Sequence, residues 1–303
     1  MSNKKLNGII LINAFLRPEQ SVEQAARMQA EFFARGVDAK IVSDAFLRMR
    51  TEKNSFYNQF LGVDFALFLD KDKYVSGILK NCEIPLFNSH DSIRLCDDKA
   101  ETYIALCGKE GITVPGTVFA PVCYSADDEI KENYVKEIGN TLGFPLIVKE
   151  SYGSMGKGVH MAENPGKLRM LMEKLKTVPH MYQEYIGENA GKDVRIITIG
   201  GKTVAGMMRV NDSDFRSNVA LGGKGVKIDT FGEFSEYGLC AERASKILGL
   251  DYCGIDFLIG KNKEPILCEV NSNAFFCEME KVTGVNVAGL YAEHIIDKCT
   301  RGR

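Results

Sequence analysis

The stretch GIDFLIGKNKEPILCEVN, residues 254–271, reads as a β-hairpin. Ile255, Phe257 and Ile259 alternate with Asp256 and Leu258, Lys261 to Glu264 form a polar turn, and Ile266 to Asn271 run back. Pairing Gly260 with Pro265 sets Asp256 opposite Glu269, with side chains about 5 Å apart. Asn271 shares a face with Glu269, because side chains along a strand repeat with period two. Two unpaired carboxylates that close repel each other. A hard divalent cation, Mg²⁺ first, takes oxygen ligands of this kind and bridges them to phosphate. A surface hairpin with solvated charges is the alternative, and the hairpin alone does not separate the two.

The whole chain of 303 residues is ordinary for a globular protein, with 45% hydrophobic and 26% charged residues. That length buries a large core and divides into two or three domains. A net charge of −2 gives no global argument for nucleic acid. The first apolar run, Gly8 to Leu16, follows Lys4 and Lys5 as a signal peptide would. It is too short to span a bilayer and lacks a small-residue cleavage site, so it reads as a first buried strand. Nine cysteines without a CxxC, and four histidines without ligand spacing, fit reduced thiols better than disulfides or a zinc site. The expected location is the cytoplasm.

Three parts follow along the chain, 1–96, 97–186 and 187–303. In the first, the run Gly8–Ala14, helix Ser21–Arg35, strands Ala39–Val42 and Phe65–Leu69, helix end Ser76–Asn81 and strand Ile84–Phe87 alternate. This order predicts a parallel sheet covered by helices. No GxGxxG follows the first strand, which argues against a dinucleotide site. The second part opens with a helix over Asp98–Lys109. An extended segment with Pro115, an acidic helix around Asp127–Leu142, strand Leu146–Glu150, a glycine-rich loop, helix Pro165–Leu175 and strand Met181–Ile186 follow. The third begins with two strands in Lys192–Arg209 joined at Gly200–Gly201, a hairpin signal. Helices over Phe234–Leu248 and Val287–Cys299 flank the opening hairpin.

The segment FPLIVKESYGSMGKGV sets Lys149 at the end of a buried strand, ahead of Gly153, Gly156 and Gly158. Glycines let backbone N–H groups approach an anion, and a lysine supplies a point charge for phosphate. It is not a Walker A loop, since no Ser or Thr follows the lysine of GSMGKGV and no helix begins there. A glycine-rich hairpin turn is the bland alternative. In MYQEYI, Glu184 and its backbone neighbours suit an adenine edge and a ribose hydroxyl, or else a solvated edge strand. Asp193, Arg195, Arg209 and the trio Arg216-Ser217-Asn218 add charge between loop and hairpin, and arginines there can neutralise a developing phosphate or oxyanion.

In this order DDKAETYIALCGKEGITVPGT, FPLIVKESYGSMGKGV, QEYI, GKDVRIITIGGKTVAGMMR, DFRSNVALGG, GIDFL and CEVNSN resemble the ATP-grasp superfamily, and most of all its RimK-type carboxylate–amine ligases. The resemblance covers residues 97 to 285; DFRSN…GG and D…EVN are its most specific pieces. It implies an α/β fold of the α+β ATP-grasp kind, with an N-terminal parallel-sheet domain ahead of two α+β subdomains that sandwich ATP. It implies that Lys99 and Lys149 contact phosphates under a loop containing Ser151, Gly153, Ser154, Met155, Gly156 and Gly158. By the same resemblance Gln183, Glu184, Tyr185 and Ile186 would hold adenine and ribose with Asp193 beside them, and Ser217 and Asn218 would touch the nucleotide. Asp256, Glu269 and Asn271 would hold Mg²⁺, two ions, with Mn²⁺ as a substitute. Arg209, Arg195 and Arg216 would stabilise an acyl phosphate and the tetrahedral species after it.

The implied reaction joins a carboxylate substrate to an amine or amino acid, through an acyl phosphate, with release of ADP and phosphate. Glutamate or another amino acid added to a peptide, protein or small molecule fits it, with no membrane or nucleic acid, in a homodimer or homotetramer. After EVN, Ala274-Phe275-Phe276 stands where the family has a small residue and a Pro–Gly turn. The resemblance therefore leaves the acid and amine unnamed, and Phe275–Phe276 either pack the core or wall an apolar pocket. A non-catalytic ATP-binding regulatory protein with the same fold, and a small-molecule kinase, are the competing readings.

Overall fold

The apolar run after Lys5 forms β1 (Asn7–Ile12), with four consecutive buried residues. Burial of both faces is what a strand inside a helix-covered parallel sheet requires. The computed structural model describes residues 5–15, 19–46, 50–57, 59–60, 62–153, 156, 158–211 and 223–301. After β1 come α1 (Glu19–Ala34), β2 (Asp38–Ser43) and a small hairpin of β3 (Arg50–Glu52) and β4 (Ser55–Tyr57). Next are β5 (Phe65–Leu69), α2 (Lys73–Asn81) and β6 (Leu86–Phe87). Strands pair in the order β2-β1-β5-β6, all parallel. Period two divides the sheet cleanly. Ile10, Phe65, Leu67 and Leu69 pack with α1 and the C-terminal part of the chain, whereas Ile9, Leu11, Ala66 and Phe68 pack with Leu79 and Ile93. Gly8 faces Phe65 across the ladder, and a Cβ there would lie 2.2 Å from the Phe65 ring.

The helix expected over 98–109 is α4 (Lys99–Leu106), shorter at its C-terminal end, and a further helix, α3 (His90–Asp97), runs directly into it. Asp98 breaks the run: its backbone is extended, and its carboxylate accepts from the N–H groups of Ala100 and Glu101 at 2.9 and 3.4 Å. Such caps satisfy donors that a continuous helix would leave to its own carbonyls. The same cap sets Lys99 at the first helical position.

The middle of the chain holds β7 (Thr117–Phe119), α5 (Glu132–Leu142), β8 (Leu146–Glu150), β9 (Val159–Ala162), α6 (Pro165–Leu175) and β10 (His180–Glu184). Their antiparallel sheet runs β7-β10-β8-β9. Leu146, Val148 and Tyr182 face α5 and α6 in a core of their own with Val135, Leu168 and Met172. The glycine-rich loop is the connection between antiparallel β8 and β9.

The last sheet is built from β11 (Lys192–Ile199), β12 (Lys202–Val210), β13 (Lys224–Lys227), β14 (Tyr252–Ile259) and β15 (Pro265–Asn271), in the order β13-β12-β11-β14-β15. Helix α7 (Ser235–Ile247) covers one face, where Val194, Ile196, Phe257, Leu267 and Val270 join Tyr237 and Ala241. Helices α8 (Cys277–Thr283) and α9 (Val287–Arg301) lie toward the N-terminal sheet, in a shared core of Phe276, Tyr291, Phe32 and Phe65. Phe276 is fully buried, edge-on to Tyr252 at 6.3 Å, so of the paired phenylalanines it is a packing residue. The resulting architecture is mixed α+β, with the parallel first sheet that strand–helix alternation predicts, followed by the four-stranded and five-stranded antiparallel sheets.

Candidate functional site

Between the middle and last sheets lies a cleft, and strand periodicity explains what lines it. If Leu146 and Val148 of β8 face the helices, Ile147 and Lys149 must face the opposite way, and both line the cleft. Gln183 of β10, then Glu184, Tyr185 and Ile186, form one rim. Asp193 of β11, Arg209 of β12, Asp256 and Leu258 of β14, and Cys268 and Glu269 of β15 form the opposite wall. Lys99, Gly153 and Gly156 close one end.

The last sheet carries a checkerboard of charge. Arg195 lies across the ladder from Asp256, and Arg209 lies across from Asp193. Arg195 donates from Nε and Nη2 to both Asp256 oxygens at 2.7 Å. Arg209 holds Asp193 in the same two-pronged way and reaches diagonally to Asp256 Oδ2 at 2.9 Å. Arg209 and Asp256 are each only 3% exposed. Burial pushes the Asp256 carboxyl up, but Arg195 and Arg209 outweigh it and hold the group down at about 2. Two carboxylates and two guanidiniums thus form a neutral unit, buried except for the half-buried Arg195.

Opposite them, Lys149 is 7% exposed, and the partner found for its ammonium is the Cys268 Sγ at 3.5 Å, with the Tyr103 ring centroid at 6.0 Å. A thiol is a weak acceptor, and an ammonium carries three donors. Among the described residues no carboxylate lies within ion-pair distance of it. Lys99 donates to the Gly153 carbonyl at 2.7 Å and lies 3.6 Å from Glu269 Oε1. Glu184 accepts from the Gly116 N–H at 2.7 Å, and Gln183 donates to Thr117 at 2.9 Å.

Asp256 does pair with Glu269, but by a different route from the one expected. The turn closes one residue tighter, with Ile259 opposite Pro265, and a bulge at Cys268 restores the register beyond it. Nor do the two carboxylates face each other unpaired, since arginines neutralise Asp256 and Lys99 approaches Glu269. Among the described residues no group of three His, Cys, Asp or Glu side chains is placed to hold a metal. What suits Mg²⁺ is the chemistry of the donors: two carboxylates and the Asn271 amide, all oxygen, from two adjacent strands. A carboxylate has about four acceptor sites, and Asp256 spends three on guanidinium donors.

Of the residues singled out in the sequence, Lys99, Lys149, Gly153, Gly156, Gln183, Glu184, Tyr185, Ile186, Asp193, Arg209, Asp256 and Glu269 meet at this cleft. Arg195 sits behind Asp256, and Asn271 lies opposite Gly254. Ser151 is buried; its carbonyl accepts from Lys99 N and its N–H donates to the Pro179 carbonyl. Gly158 has φ +74°, and a Cβ there would lie 2.8 Å from the Glu150 carboxyl carbon. Ser154, Met155, Arg216, Ser217 and Asn218 lie outside the described residues. Unforeseen were Lys192, Cys268 and the apolar pair Ile147 and Leu258. Period two counted from Lys149 and Asp256 would have found that pair, whereas period two counted back from Glu269 puts Cys268 on the opposite face, so the bulge hid it from the sequence.

Residues 96–295 match the RimK-like ATP-grasp domain. Human (Homo sapiens) N-acetylaspartylglutamate synthase A is 30% identical over 227 residues, covering 74% of this chain and 56% of that protein. Human beta-citrylglutamate synthase B is 33% identical over 239 residues, covering 77% and 58%. The chain thus spans a little over half the length of these curated relatives. D-alanine–D-alanine ligase from Bacillus anthracis, solved with ATP, superposes with a TM-score of 0.73 at 18% identity, covering 98% of both chains.

Proposed function

The chain belongs to the RimK-like ATP-grasp family, and on that premise we propose that it is an ATP- and Mg²⁺-dependent carboxylate–amine ligase. One observation carries the reading: a buried ammonium, Lys149, with no carboxylate among the described residues within ion-pair distance, faces a cleft whose other wall is an acid–arginine unit. A buried cation is costly unless paired, and phosphate is the partner that suits a point charge in such a cleft.

ATP fits with its base between Ile147 and Leu258 against the rim Gln183–Ile186, and its phosphates toward Lys149 and Lys99. The substrate carboxylate attacks the γ-phosphorus; an O–P bond forms, the bond to ADP breaks, and an acyl phosphate results. Arg209 keeps Nη1 free of Asp193 and Asp256, and with Arg195 it spreads the charge that develops there. An amine then adds to the acyl carbon, phosphate leaves, and the nitrogen gives up a proton as the amide forms. Asp256, Glu269 and Asn271 would hold Mg²⁺, which when bound supplies charge neutralisation for phosphate oxygens. Arg216, Ser217 and Asn218 remain assigned to the phosphate end by resemblance.

The relatives are named synthases of N-acetylaspartylglutamate and beta-citrylglutamate, so glutamate is the first amine to offer. The experiment measures ADP release with Mg²⁺ against a panel of carboxylates, with and without glutamate and other amines, and mass spectrometry of the products. Release that requires both partners, with an amide formed, is expected. Release that never depends on an amine would make the protein an ATPase, a kinase or a nucleotide-binding regulator instead.

A further inference from the structure

Strand β15 is an edge strand, since the sheet ends with it. Edge strands leave one row of backbone groups unpaired and slip most readily. Here that row is stitched by the preceding part of the chain. The Leu267 N–H donates to the Thr113 carbonyl at 2.8 Å, the Tyr103 hydroxyl donates to the Cys268 carbonyl at 2.5 Å, and Asn88 donates to the Ser272 carbonyl at 2.7 Å.

The middle stitch falls on the bulge. From the turn inward, Ile259, Leu258 and Phe257 face Pro265, Ile266 and Leu267; then Cys268 is passed over and Asp256 faces Glu269. Continued without the bulge, the same ladder would set Asp256 opposite Cys268 and Glu269 opposite Ile255, a core residue with no exposure. A one-residue slip sends side chains to the other face. The bulge is therefore what keeps Glu269 on the cleft face beside Asp256.

We propose that Tyr103 is a positioning residue of this site: its hydroxyl locks the Cys268 bulge and so keeps Glu269 in register with Asp256. Tyr103 is 3% exposed and lies one helical turn after Lys99 on α4, so a single helix delivers the lysine that approaches Glu269 and the phenol that fixes its strand. What Glu269 does for Mg²⁺ rests on the ligase reading; the register does not.

The test is Tyr103→Phe, which keeps the ring and removes the hydroxyl. Hydrogen exchange by mass spectrometry on the full chain, without nucleotide, should show the peptide over 265–273 exchanging roughly tenfold faster, about the loss of one hydrogen bond. Peptides from β11 and β12 should keep wild-type rates. In a second arm, the Mg²⁺ concentration giving half of the thermal stabilisation by ADP should rise about tenfold, while ADP binding without Mg²⁺ stays within about twofold of wild type. Unchanged exchange at 265–273, or an equal rise in all three sheets, would overturn the proposal. If wild type shows no Mg²⁺-dependent stabilisation, the metal reading fails, and the exchange arm still decides the role of Tyr103.

Discussion

Arg209→Met is the sharpest perturbation of the buried charge unit. Asp193 is 7% exposed, and Arg209 is its one ion-pair partner among the described residues, whereas Asp256 keeps both bonds from Arg195. The substitution therefore strands one buried carboxylate rather than two. Removing one partner of a buried pair costs about 3–5 kcal/mol, because the remaining charge is left desolvated and uncompensated. Methionine fills much of the arginine volume, so the loss comes mainly from charge. Adding Asp193→Asn removes the stranded charge, and the double variant should regain about 2 kcal/mol or more, a coupling typical of groups in one network. With no tryptophan in the chain, urea unfolding followed by far-UV circular dichroism is the assay. A cost below about 1 kcal/mol for Arg209→Met, or a double variant less stable than the single, would refute the reasoning.

Lys149→Met should weaken ADP binding about 10- to 150-fold in calorimetry, the loss of charge-assisted bonds worth roughly 1.5–3 kcal/mol. The Asp256 carboxyl titrates lower in the folded chain, at about 2 against 3.8. Its contribution is therefore present above pH 3.8 and lost as pH falls through about 2, and Asp256→Asn should flatten the stability curve in that window. Gly8→Ala drives a Cβ into the Phe65 ring and should cost about 1–3 kcal/mol by overpacking, read as a lower urea midpoint at unchanged slope.

Much of the site was legible because strands repeat every two residues and hairpin turns have a recognisable chemistry. Gly200–Gly201, both at positive φ, do join β11 and β12, and Lys149 does end a strand and face a cleft. What stayed hidden depends on register and on partners distant in sequence. Asp193-Val194-Arg195 shows two charges on one face, but nothing local says that the arginine answers Asp256 and the aspartate answers Arg209. The turn at 261–263 and the bulge at Cys268 each shift the hairpin by one residue, and the expected Asp256–Glu269 pairing survived because the two shifts cancel. Asp98 looked like the start of one helix and is the joint between two, a choice made by its cap bonds. Tyr103 resembled any apolar helix residue until the carbonyl it meets, 165 positions later, was in view.

The central claim is that a carboxylate is activated by phosphoryl transfer in this cleft. Its most direct test supplies the carboxylate that supports turnover with both oxygens labelled as ¹⁸O, together with ATP, Mg²⁺ and the amine, and weighs the released phosphate. One labelled oxygen in each phosphate, with ADP and an amide that keeps the other label, is the predicted result. Unlabelled phosphate, or AMP and pyrophosphate in place of ADP, would contradict the account.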